Sequence, residues 1–190
     1  MRRLLLLVCA LALCAACSEP PQKEIDRAQG AIDAARAAGA ELYATAEYGA
    51  ATSSLQQAHD AVAQRDYRLA LSRALDASER AQQAARQAGD GKARARSDAE
   101  SIVATTATAV QQLRSAIKAV QTSRPPAAVL AAARRAAAAS ESALQEARAL
   151  LKEERYLEVG GALTGVQERI NEQIHALNEA AKPRAGKRRS

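Results

Sequence analysis

Cys14 and Cys17 are separated by two alanines, in the C-x-x-C spacing used for dithiol redox chemistry and for metal ligation. His59 and His175 are the only histidines, and a metal site would need them to converge with further ligands and a supporting shell. Ser115-Ala116-Ile117-Lys118 has the S-x-x-K spacing of an acyl-transfer nucleophile and its lysine. Glu153-Glu154 places two carboxylates side by side.

Each of these fails on its surroundings. The two histidines fall on separate predicted helices and read as solvated positions. The S-x-x-K lacks its S-D-N and K-T-G companions, and Ile117 belongs to an apolar seam. Adjacent glutamates at a helix end are easily solvated and say little about acid–base catalysis. No Gly-rich phosphate loop joins a strand to a helix. A redox C-x-x-C opens a helix in a βαβ domain, whereas this one closes an apolar run, Leu4 to Leu13, that follows Arg2 and Arg3. A charged start and a short apolar stretch make a secretory signal, too short to span a bilayer, which takes about 20 apolar residues.

Ala15-Ala16-Cys17 closes that stretch. The segment resembles a bacterial lipoprotein signal, whose lipobox reads Leu, two small residues, then the lipidated cysteine. The departure is Cys14 at the Leu position, with Leu13 one place earlier. Cys14 is the rival acceptor, but bulky Leu13 would precede it where the peptidase of that family takes a small side chain. Cys17 is therefore the expected lipidation site, and Cys9 and Cys14 would leave with the signal. The resemblance implies three acyl chains, palmitate among them, where one alone is a marginal anchor. In that family aspartate after the cysteine holds the protein at the inner membrane; with Ser18 there instead, the resemblance implies the outer membrane, with the chain on its periplasmic face.

Removing residues 1–16 leaves 174, enough for one medium domain. The mature charge is +4. Lys182, Arg184, Lys187, Arg188 and Arg189 supply five bases and no acid within the last nine residues, so the remainder is near −1 and the basic character is assigned to this tail. With no Trp or Phe and four Tyr, the chain lacks the aromatic platforms on which bases and sugars stack. No nucleic acid, cofactor or metal is expected.

The elements that would position any site are helices. Alanine, the strongest helix former, dominates, and the better-spaced apolar residues recur in a 3-4 rhythm. Val103, Thr106, Val110, Leu113, Ile117 and Val120 form one seam. Leu130, Ala133, Ala137, Ser140, Leu144, Ala147 and Leu151 form another. Ile25, Ala28, Ile32, Ala35 and Tyr48, Ala51, Leu55, Ala58, Val62 repeat the pattern. This periodicity predicts an all-α fold: an elongated antiparallel bundle of five or six helices with coiled-coil-like, Ala-rich seams. Expected helices cover about 21–38, 46–64, 67–88, 93–122, 126–155 and 156–182. Asp66 is the predicted N-cap of the third. Gly89-Asp90-Gly91 is predicted to end it, and Pro125-Pro126 to divide the fourth from the fifth.

Residues 55–81 and 144–170 align without gaps at six identical positions of 27, among them Leu55/Leu144, Ala58/Ala147 and Tyr67/Tyr156. In both, a helix ends in charged residues and a tyrosine opens the next, as a duplicated helix–turn–helix unit would. Gly39-Ala40, Tyr43-Ala44, Leu55, Ala58, Asp66-Tyr67, Ala70, Ala74, Ala77 and Ala81 also resemble a periplasmic lipoprotein domain of unknown function with a tetratricopeptide-like hairpin. Thr45 departs from that family's Pro, and Gln64-Arg65 from its Gly. The resemblance covers about residues 25–88 and implies fold and location, without chemistry.

The expected organisation is a signal at 1–16, a lipidated Cys17 with a short linker over 17–21, a helical domain over 22–181 with hairpins at about 46–88 and 126–181, and a disordered basic tail at 182–190. The expected function is a membrane-anchored periplasmic helical scaffold or protein-interaction lipoprotein without catalytic activity. Its partners are the membrane, through the lipid, and a periplasmic protein. The alternative is an envelope-binding module whose tail meets lipopolysaccharide, anionic lipid or peptidoglycan.

Overall fold

In the computed structural model, which describes residues 19–123 and 125–182, every regular element is helical. Helix α1 spans Gln22–Ala37, a short α2 Ala40–Tyr43, and α3 Thr45–Ala63. Helix α4 runs from Tyr67–Val120 and ends in a 3₁₀ turn, Gln121–Ser123. Helix α5 covers Ala127–Lys152, α6 Tyr156–Ala162 and α7 Val166–Ala181. The contacts divide between Lys92 and Ala93 into two compact units, where the sequence had suggested one helical domain over 22–181.

In the first unit, α1, α3 and the first part of α4 close on a seam that is mostly alanine. Ile25, Ile32, Tyr48 and Leu55 are the only larger side chains in its buried core; the other eleven are Ala. The 3-4 spacing explains this, because it turns one narrow stripe of each helix inward. Small side chains let helix axes approach toward the short end of the roughly 8–10 Å spacing of packed helices.

Gly89-Asp90-Gly91 does not end a helix, contrary to expectation: α4 continues through it without a break. Glycine costs about 1 kcal/mol in a helix, but it keeps its N–H and so leaves the ladder intact. Packing supplies the reason for one of the two. A Cβ on Gly91 would come within 2.8 Å of the Tyr43 carbonyl oxygen and 3.0 Å of its Cβ, so the α2 end can rest on the helix only where no side chain exists. Gly89 has nothing within 4 Å of that position.

In the second unit, the rest of α4 packs with α5, α6 and α7. The predicted seam of Val103, Thr106, Val110, Leu113, Ile117 and Val120 is buried throughout. Ala133, Ala137, Ser140, Leu144 and Ala147 face it from α5. The expected single helix over 156–182 is instead two. Gly165 adopts φ 69°, a left-handed conformation that suits glycine, and the chain restarts at Val166. The break lets Val159 and Leu163 before it and Val166, Ile170 and Leu177 after it all reach the core.

The backbone turns of the two hairpin corners are built alike. Arg65 and Glu154 both take left-handed backbones, φ 60° and 59°. Arg65 N–H donates to Val62 O and Asp66 N–H to Ala61 O, while Glu154 N–H donates to Leu151 O and Arg155 N–H to Leu150 O, all between 2.9 and 3.1 Å. This is a Schellman closure, made twice at positions 89 apart. Tyr67 and Tyr156 follow their corners, half-buried and buried respectively. Only the first corner carries the predicted cap: Asp66 Oδ1 accepts from the Leu69 N–H at 3.0 Å. At the second, Arg155 pairs with Glu158 and Glu153 instead.

Candidate functional site

The residues first suspected of chemistry do not assemble. His59 is exposed in the first unit and His175 in the second, its Nε2 4.0 Å from Glu179 Oε1. Ser115 is exposed and Ile117 is buried in the seam. No group of three His, Cys, Asp or Glu among the described residues could hold a metal ion. Cys17, Arg184, Lys187, Arg188 and Arg189 lie outside the described residues. Lys182 stands at the end of α7 and donates to Glu179 Oε1 at 2.6 Å. That contact holds the Glu179 carboxyl below its usual range, with the Lys182 charge and His175 acting in the same direction.

Two polar constellations emerge that sequence reasoning did not single out. The first ties α3 to α4. The Ser54 hydroxyl donates to Asp76 Oδ2 at 2.6 Å, and Arg80 Nε donates to both Asp76 oxygens at 3.0 and 3.1 Å. Arg80 also reaches Glu47 at 3.6 Å. The bond from Ser54 lowers the Asp76 pKa most, and Arg80 adds to it against the opposing effect of burial. A carboxylate held ionised and a hydroxyl already donating to it make a poor base and a poor nucleophile. The arrangement is a cross-helix tie. Its serine and aspartate are 22 positions apart, and only the hairpin register brings them together.

The second is a groove of about 300 Å³ between α4 and α5 of the second unit. Val110, Leu144 and Ala107 contribute its apolar lining. Thr108, Gln111, Arg114, Glu141, Gln145 and Arg148 line it with polar groups. Arg114 Nε donates to Glu141 Oε1 at 2.6 Å across the groove. Arg148 makes no ion pair among the described residues. A second cleft, of about 580 Å³, lies in the first unit, bordered by Arg27, Ala31, the exposed Leu75, Ser78, Glu79 and Gln82.

The groove revises the expectation that basic character belongs to the tail alone. Residues 93–152 carry nine basic and four acidic side chains, whereas 153–182 carry three basic and six acidic. The near-zero total hid this because the acidic residues of 153–182 and of the first unit offset the basic stretch 93–152. The signal available in the sequence was the spacing Gln111, Arg114, Lys118 and Gln145, Arg148, Lys152 on faces away from the seams. Their meeting across one groove required the antiparallel pairing.

No family model, curated protein or solved structure matches this chain. The resemblances therefore rest on the quoted residues alone.

Proposed function

We propose that the chain is a lipid-anchored periplasmic lipoprotein, held at the outer membrane through Cys17, that works as a helical scaffold or protein-interaction module and not as an enzyme. One observation carries this reading: the chemistry-bearing side chains are dispersed over two helical units, whose recesses are open grooves lined by amides, guanidinium groups and leucines. Catalysis asks for convergent groups in a shaped, water-excluding pocket, whereas docking asks for exposed, patterned surface. The N-terminal pattern, Arg2-Arg3, an apolar run and Ala15-Ala16-Cys17, supports the anchor and the address. No helix among the described residues is long and apolar enough to cross a membrane.

Two experiments test the reading. Mass spectrometry of the membrane fraction should find acylation at Cys17 and its loss in Cys17→Ala, with Cys14→Ala still lipidated; acylation at Cys14 would reverse the assignment. Crosslinking in intact cells should join the protein to a periplasmic polypeptide, and its absence from every surface probed would overturn the scaffold reading. The basic tail favours a second reading, attachment to an anionic envelope surface, worth about 1 kcal/mol per base near a charged membrane. Truncation after Ala181 separates the two, because a scaffold keeps its partner without the tail.

A further inference from the structure

The cations around the α4–α5 groove extend beyond its lining. Lys118 is four residues after Arg114, Lys152 four after Arg148, and Arg134 seven before Glu141. Steps of four and seven return to the same helical face, so Lys118, Arg134 and Lys152 continue the groove line at its two ends. All three are exposed, and none makes an ion pair among the described residues. The acids on this line are already engaged, Glu141 by Arg114 and Glu100 by Arg96. Arg135 and Glu146 project round the other side of α5.

The result is a pattern: unpaired cations at both ends, with a neutral middle where Gln111 and Gln145 flank the internal Arg114–Glu141 pair. From Arg134 to Lys152 is 18 residues, about 27 Å at 1.5 Å per residue. An extended polypeptide covers that distance in about eight residues.

We infer that this groove docks an extended acidic polypeptide segment, with carboxylates at its ends meeting Arg134 and Lys118 on one side and Arg148 and Lys152 on the other. The inference rests on the scaffold reading and names the chemistry of its partner. Guanidinium groups bind carboxylates through paired N–H donors. Amide side chains both donate and accept, which suits the peptide backbone crossing the middle. Ala107, half-buried above the core residues Val110 and Leu144, gives the segment a small apolar floor. A flat bilayer would rest on the ridges and miss that floor, and a glycan would find no aromatic ring on which to stack.

The test uses the full chain in detergent and a labelled octapeptide of alternating glutamate and alanine, read by fluorescence anisotropy at low salt. Binding should weaken about tenfold or more in Arg148→Glu/Lys152→Glu, with the helical circular-dichroism signal unchanged. It should hold within about twofold in Arg135→Glu and after truncation past Ala181, and the lysine–alanine counterpart should not bind. No binding of the acidic peptide, equal loss in Arg135→Glu, or loss on tail truncation would each overturn the inference. So would groove-dependent binding of vesicles rich in anionic phospholipid without binding of the peptide. A photo-crosslinker at Gln145 separates this inference from the reading beneath it. Crosslinks to a polypeptide from other surfaces but none from Gln145 refute the groove and leave the scaffold standing; none from any surface refutes the scaffold.

Discussion

The two units solve the same packing problem with different side chains. Eleven of the fifteen residues in the first core are alanine; only five of the seventeen in the second are, the rest being Val, Leu, Ile and one Tyr. Both cores follow the same 3-4 stripe. The difference shows that the stripe sets which face is buried, while side-chain volume sets what the burial is worth and which errors it tolerates. A core of methyl groups loses little when trimmed but has no room for additions. A core of branched side chains loses much when trimmed.

The largest expected effect is therefore a deletion in the second unit. Leu113 is fully buried, and Leu113→Ala should cost about 2–5 kcal/mol in urea unfolding. A negligible loss would mean that the branched core is not the tighter one. The mirror experiment overfills the first unit. Ala81, also fully buried, lies in the alanine seam, and Ala81→Leu should destabilise by about 1–3 kcal/mol. If it stabilised instead, the seam would hold unused space and the contrast would collapse.

A finer test uses two glycines two positions apart. Gly89→Ala meets open space and should stabilise by about 1 kcal/mol through helix propensity. Gly91→Ala gains the same propensity but pushes into the Tyr43 backbone, so it should melt at a lower temperature than wild type. Equal gains at both positions would show that the α2 end does not rest on α4.

The smallest effect is electrostatic and belongs to the first unit alone. Asp76 has a pKa lowered in the fold by Ser54 and Arg80. A depressed carboxylate contributes stability that is fully present above its unfolded value, near pH 4, and is lost as pH falls through the lower folded value. Asp76→Asn should remove that part of the acid sensitivity below about pH 4. An unchanged acid-unfolding profile would reduce the tie to a surface contact.

How much of this the sequence disclosed follows from what is local. The stripes were legible because burial repeats every three or four residues, and Asp66 was legible as a cap because its partner is three residues away. The continuity of α4 was not, because Gly89-Asp90-Gly91 looks like a stop unless Tyr43 is known to lie against it. Gly165 was not singled out as the break over Gly160 and Gly161, since only the need to bury both Leu163 and Val166 separates them. The α4–α5 groove and the Ser54–Asp76 bond depend on antiparallel register, which no single helix records. Cys17 and the four bases beyond Lys182 remain sequence inferences.

The alanine seam has a thermal consequence. Heat capacity and denaturant sensitivity both scale with the apolar surface that unfolding exposes. Methyl groups expose less than isobutyl groups, so openings in the first unit should carry the smaller heat-capacity change and respond less steeply to urea. Amide hydrogen exchange measured against urea concentration would show this as a shallower slope at Ala84 than at Leu113. The alanine half would keep its stability nearly constant over a wide temperature range, and the leucine half would gain and lose its own more sharply.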